Sequence, residues 1–182
     1  MVKGDNERMS EERFGDVTFK GQPLTAVGPR LKVGDKAPDF TVINGKLEEE
    51  TLANTRGKVR LITSVPSLDT PVCDLETRRF NEEAGSLGSD VVVLTVSMDL
   101  PFAQNRWCAA AGIQHVRTLS DHRTASFGLN YGVLVKELRL LQRAVFVVDQ
   151  NDTIRYVEYV KDIGHEPDYD AALAAVKETL KR

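Results

Sequence analysis

The stretch Val59-Arg60-Leu61-Ile62-Thr63-Ser64-Val65-Pro66-Ser67-Leu68-Asp69-Thr70-Pro71-Val72-Cys73 decides how the rest of the chain is read. Val59–Val65 is β-branched and nearly unbroken, as expected of a strand buried on both faces. Thr70 followed by Pro71 joins a good N-cap to a good first helical residue. From Pro71 to Ala84 the composition is helical, and Gly85 closes the run. A buried strand that feeds a helix is the start of a βαβ unit.

Working outward, Val91–Met98 and Ala144–Val148 repeat the buried-strand pattern. Pro101–Ala111, closed by Gly112, predicts a second helix, and Thr124–Tyr131 a shorter third. Ile154–Val160 pairs with Ala144–Val148 across Asp149-Gln150-Asn151-Asp152. Asp168–Lys181 places Tyr169, Leu173, Val176 and Leu180 on one helical face. Upstream, Val17–Lys20 and Pro23–Val27 read as a hairpin around Gly21-Gln22, and Leu31–Pro38 as a loop. Asp39–Ile43 is extended and ends at the turn dipeptide Asn44-Gly45. The expected fold class is α/β, with a mixed central sheet flanked by helices and an N-terminal β-hairpin.

Composition narrows the function. The chain has 182 residues, which fits a single domain, assigned here to residues 17–182. Residues 1–16 are polar and charged and are expected to be a disordered extension. They lack the apolar centre of a secretory signal, so a reducing cytoplasm is the expected compartment. Lys and Arg number 24 against 27 Asp and Glu, a formal charge of −3, which argues against nucleic acid as a partner. The apolar runs are strand-sized, well short of the roughly 20 residues that span a bilayer, so a membrane role is not expected.

Two cysteines, Cys73 and Cys108, carry the reactive sulfur. With Thr70 as N-cap, Cys73 is the third helical residue, where free N–H groups and the positive dipole end favour a thiolate. An ordinary thiol near pKa 8.5 is only about 3% ionised at neutral pH. Bringing such a group to about 6 takes about 3.4 kcal/mol. A helix N-terminus supplies about 0.3–1 kcal/mol, rising to about 2 when partly buried. Asp69, Asp74 and Glu76 oppose it if they point inward. A nearby cation is therefore required. Arg78 and Arg79 lie further along the helix and are expected to point away, which leaves Arg143, at the threshold of a buried strand, as the better candidate.

Pro66-x-x-x-Thr70-x-x-Cys73 resembles the peroxiredoxin active-site motif, and Pro66–Cys73 as a whole is similar to the thiol peroxidase subfamily. Asp99-Leu100-Pro101-Phe102-Ala103-Gln104-Asn105-Arg106-Trp107-Cys108 resembles the same subfamily, as do Val17–Gly21, Arg143-Ala144-Val145 and Glu166–Tyr169. The resemblance covers residues 17–182 and implies a thioredoxin-like fold. It implies a peroxide substrate, Cys73 as peroxidatic cysteine and Cys108 as resolving cysteine of an intrasubunit disulfide. It further implies Thr70 as a hydroxyl on thiolate and peroxide, Arg143 as the orienting guanidinium, and Pro66 as the shield from solvent. None of these five positions departs from the pattern, and the second cysteine separates this chain from one-cysteine relatives. A thioredoxin-like dithiol as reductant, no metal or organic cofactor, and a homodimer built near Trp107 and Thr124–Tyr131 also follow from the resemblance.

Other readings stand beside these. Cys108, next to Trp107 and Ala109–Ala111, has the surroundings of a packing residue. Thr70 could serve only as a cap, and Arg143 could be a strand-edge charge. His115, His122 and His165 have no metal-ligand spacing and read as surface or turn residues. The rival functions are a redox-sensing switch using the same cysteine pair and a disulfide oxidoreductase. The second is disfavoured because no Cys-x-x-Cys occurs.

Overall fold

A computed structural model describes residues 11–181. The apolar runs form β5 (Val59–Ser64), β6 (Val91–Ser97) and β10 (Ala144–Val148). They are joined by β3 (Thr41–Ile43), β4 (Glu49–Thr51), β7 (Val116–Ser120) and β11 (Ile154–Tyr159) in one sheet, ordered β11-β10-β5-β6-β7-β3-β4. β5, β6 and β7 run parallel, while β10 lies antiparallel to β5 and β11 antiparallel to β10. Every residue of β5 and β10 is buried, which is why neither alternates apolar with polar.

Each face of the sheet has its own core. On one, Leu61, Val93, Val145 and Val147 meet Phe80 of α1 (Pro71–Ala84) and Tyr169, Leu173 and Val176 of α4 (Tyr169–Leu180). On the other, Ile62, Leu94, Val96 and Phe146 pack on Phe40, Phe127 and Tyr131. α1 and α2 (Pro101–Ala111) have the bounds their Pro and Gly punctuation predicts. Gly112 closes α2 in the left-handed region (φ 67°) and returns its N–H to the Cys108 carbonyl, a conformation glycine adopts without a Cβ clash.

Three expectations need correction. The first strand of the hairpin, β1, spans Glu12–Phe19, so the domain begins inside the expected 1–16 extension; residues 1–10 lie outside the described part. Its polar start is held by tertiary hydrogen bonds: Arg13 donates to the Gly132 carbonyl (2.8 Å), to the Gly28 carbonyl and to Asp16 (2.8 Å). The turn to β2 (Gln22–Val27) is Lys20-Gly21, not Gly21-Gln22, with both residues at positive φ (50° and 78°). Such a two-residue turn matches the twist of the strands. The short third helix, α3, is Ser126–Asn130, narrower than Thr124–Tyr131. Asp121 sets its start by accepting from Phe127 N (3.0 Å) and Gly128 N (2.8 Å).

β1 and β2 form a second, antiparallel sheet with β8 (Leu134–Val135) and β9 (Leu140–Leu141). This sheet also braces the segment after β11. Thr18 N donates to the Lys161 carbonyl (2.7 Å), and Ile163 N donates to the Thr18 carbonyl (3.0 Å).

Candidate active site

β5 ends at Ser64, and the chain turns through buried Pro66 before α1 begins. Asp99, just past β6, ties this turn down from the neighbouring strand. Its carboxylate accepts from Ser67 Oγ (2.7 Å), Leu68 N (2.8 Å) and Ser97 Oγ (2.8 Å). Thr70 has the extended backbone of an N-cap (φ −97°, ψ 146°), and its carbonyl accepts the first helical bond from Asp74 N (3.0 Å). Its hydroxyl does not cap the helix but donates to the Ser67 carbonyl (3.0 Å).

α1 buries Cys73, Glu76, Thr77 and Phe80, an i, i+3, i+4, i+7 stripe. The Cys73 sulfur is fully buried, packed with Val65 and Leu68 and flanked by Trp107. Arg143, 1% exposed, reaches it: Nη2 donates to Cys73 Sγ (3.2 Å) and to the Ile163 carbonyl (3.0 Å), while Nη1 pairs with Glu76 Oε2. The Arg143 backbone is fixed as well, its carbonyl accepting from Val160 N (3.0 Å). Cys73 and Arg143, distant in sequence, are thus brought into contact. The hairpin contributes through Thr18, which positions the Ile163 segment.

The sequence treats Glu76 only as an opposing charge, yet it is fully buried and belongs to this cluster. Helical spacing carries the signal, because Glu76 falls on the same face as Cys73 and Phe80. Burial pushes its carboxyl up to about 7, although Arg143 pulls it down. Burial works against the Arg143 charge, but Glu76 and then Cys73 more than offset this and hold the guanidinium above its ordinary range. Asp69 is exposed, and Asp74 is engaged sideways by Arg78 (2.8 Å).

Cys108 stands apart. Half-buried in the last turn of α2, its sulfur lies 3.4 Å from the Thr118 hydroxyl on β7. Burial pushes this thiol up, and the Thr118 bond offsets part of the effect. Both cysteines are free. β7 and β10 are three places apart in the sheet, so the backbones carrying Thr118 and Arg143 are separated by about 14 Å. Among the described residues, no three His, Cys, Asp or Glu side chains group to hold a metal ion.

A buried cysteine in the first turn of a helix, gripped by a guanidinium on a mixed sheet, is the arrangement of a thiol-based redox protein. The Redoxin family profile matches residues 32–173. A thiol peroxidase of Halalkalibacterium halodurans is 58% identical over 167 residues, 92% of this chain and all of the relative. One of Bacillus subtilis is 57% identical over 168 residues, with 92% and 100% covered. Among solved structures, a peroxiredoxin-like protein from Aquifex aeolicus superposes with a TM-score of 0.84 at 45% identity, covering 90% of this chain and 96% of that one. The chain belongs to the thiol peroxidase subfamily of the peroxiredoxins.

Proposed function

We propose that this chain reduces hydroperoxides with thiol electrons through Cys73. The observation that supports it most is the buried Cys73 sulfur held 3.2 Å from the Arg143 guanidinium at a helix N-terminus. Away from water a contact between a guanidinium and a sulfur anion is weakly screened. The Cys73 thiolate attacks the nearer oxygen of ROOH. The O–O bond breaks, sulfur gains an S–OH bond, and the leaving RO⁻ takes a proton to become ROH or water. Thr70, whose own proton is given to Ser67, retains lone pairs to accept the hydroperoxide O–H. Arg143 orients the peroxide and stabilises the charge that develops on the leaving oxygen, while Pro66 shields the sulfur.

Cys108 then attacks the sulfenic sulfur. An S–S bond forms, the S–O bond breaks, and hydroxide leaves with the Cys108 proton as water. A disulfide needs Cα atoms within about 7 Å, so the Cys108 turn of α2, the Cys73 turn of α1 or both unwind to form it. A thioredoxin-like dithiol restores both thiols by exchange. We further propose a cytoplasmic homodimer acting in antioxidant defence. The dimer surface is placed near Trp107 and the segment Thr124–Tyr131, where Thr124 is exposed although Phe127 and Tyr131 lie in the core. Leu100 (53% exposed) and Phe102 (67% exposed), at the start of the helix of Trp107, add apolar surface to it. No helix among the described residues is long and apolar enough to cross a membrane.

The test is steady-state consumption of hydrogen peroxide and of a bulky alkyl hydroperoxide with a thioredoxin-type donor, followed by mapping of the disulfide. Sustained turnover with a Cys73–Cys108 bond is expected. A single turnover that no dithiol restarts would favour the redox-switch reading instead.

Glu76 makes the attack pH-dependent. Below about pH 7 its carboxyl holds a proton, and Arg143 with a Cys73 thiolate sums to zero buried charge. Above that pH the cluster carries one excess negative charge. Because the folded state raises this carboxyl, its contribution to stability is largest at low pH and declines as pH rises from the ordinary carboxylate range towards about 7. Glu76→Gln keeps an oxygen for Arg143 Nη1 and removes the titration. The attack rate of the unaltered protein should bend near neutrality in a profile from about pH 5 to about pH 9, and the bend should vanish in the variant. A bend that survives in Glu76→Gln assigns it to another group.

A further inference from the structure

Three side chains along one edge of α1 take hold of the end of α2. Asp74 Oδ1 accepts from the Trp107 indole Nε1 (3.0 Å). Arg78 donates from Nε to Asp74 Oδ2 (2.8 Å) and from Nη1 to the Ala111 carbonyl (3.1 Å), with its guanidinium 5.8 Å from the Trp107 ring. Asn81 Oδ1 accepts from the backbone N–H groups of Gln114 (3.1 Å) and His115 (2.8 Å). Positions 74, 78 and 81 follow helical spacing and form one stripe, beside the buried stripe that carries Cys73. Their partners at 107, 111 and 114–115 advance in the same order, so α1 is laced to the end of α2 and to the segment that follows it.

These partners bracket Cys108. Trp107 precedes it, and the Ala111 carbonyl is one of the helix-end acceptors that find no donor within the helix. An arginine there satisfies the acceptor and complements the negative dipole end. Apolar burial in this turn is limited: Ala109 and Ala110 are exposed, and Trp107 and Cys108 are only half-buried. Beside the lacing, the Thr118 hydroxyl meets Cys108 Sγ (3.4 Å) and Trp107 packs near Cys73. Segments with so little buried apolar surface open at low cost. The polar lacing therefore supplies much of the grip.

We propose that Asp74, Arg78 and Asn81 form a clasp that times the resolving step, holding the last turn of α2 shut during peroxide attack and setting how fast Cys108 is released. They are positioning residues, acting on the reaction through α2 and not on the peroxide. The inference rests on Cys108 being the resolving thiol. While the clasp is closed, the Cys73 sulfenic acid waits, and a second hydroperoxide can transfer an oxygen to it, giving sulfinic acid and ROH. Loosening the clasp shortens that wait.

Asp74 adjoins Cys73 and alters its field, so the test uses Arg78→Ala and Asn81→Ala, which lie a turn or more from the sulfur. Trp107 is the sole tryptophan and reports both steps by fluorescence after rapid mixing with excess hydrogen peroxide. Attack is the phase that scales with peroxide, and resolution the phase that does not. Arg78→Ala should speed resolution about three- to tenfold, Asn81→Ala somewhat less, with attack within about twofold of the unaltered protein. Sulfinic acid at high peroxide, measured by mass, should fall in step. A residue that merely stabilised the fold would lower the melting temperature without splitting the two phases. Resolution unchanged or slowed in both variants overturns the clasp alone. If the unaltered protein forms no Cys73–Cys108 disulfide, the resolving role of Cys108 falls and the clasp with it.

Discussion

Cys73→Ser should abolish peroxide turnover, while Cys108→Ser should consume about one peroxide per subunit and then stall. The first result follows from ionisation. An alcohol in place of the thiol provides almost no anion at neutral pH, even with Arg143 alongside, so the rate should fall to the uncatalysed background. The second follows from the separation of roles. In the proposed mechanism attack uses Cys73, Arg143, Thr70 and Pro66, and Cys108 stands apart from them, its sulfur 3.4 Å from the Thr118 hydroxyl on β7. Mass spectrometry of Cys108→Ser after one equivalent of peroxide should find one added oxygen, on Cys73. More peroxide should drive that sulfur on to sulfinic acid, because nothing in the chain is left to condense with it. If Cys73→Ser retains turnover and Cys108→Ser loses even the first equivalent, the two roles are inverted.

The parts of this site that the sequence makes legible are those governed by local rules. Thr70-Pro71 marks the start of α1, and the start places Cys73 in its first turn. The shortfall of the helix dipole calls for a cation near Cys73, and the Arg143 guanidinium lies 3.2 Å from its sulfur. What the sequence conceals is governed by tertiary contact. β7 escapes notice because Arg117 and Thr118 interrupt its apolar run, although β6 and β3 enclose it on both sides. The polar start of β1 looks like a tail because its partners, Gly28 and Gly132, are supplied by distant backbone. The hydroxyl of Thr70 fits the rule for a capping side chain, yet the tight turn offers the Ser67 carbonyl as a competing acceptor. Asp99 anchors the active loop from another strand, and no local spacing connects it to Ser67 and Leu68. Glu76 is the instructive case: its position on the Cys73 face is legible from helical periodicity, but its buried partner is not.

Arg143→Met should lower the rate of peroxide attack about 10²- to 10³-fold, the usual cost of removing one preorganised donor from a reacting centre. Three partners share this guanidinium, so the variant loses more than one contact. Cys73 loses its neighbouring cation, the Ile163 carbonyl loses its donor, and Glu76 is left buried without its partner. The last effect also threatens stability, since removing one partner of a buried ion pair costs about 3–5 kcal/mol when the other stays charged. Glu76 escapes part of that cost by keeping its proton, and Arg143→Met/Glu76→Gln removes the orphaned charge altogether. The double variant should therefore regain stability in thermal melts while remaining slow, separating the catalytic loss from the structural one. Arg143→Lys should be intermediate at best, because a point charge cannot hold Cys73, Glu76 and the Ile163 carbonyl together as a planar fork does. Ultraviolet titration of the thiolate, compared with the attack rate at saturating pH, divides the loss between ionisation and orientation. If the stable double variant attacks peroxide at the unaltered rate, the guanidinium is only a structural tie and the site needs another cation.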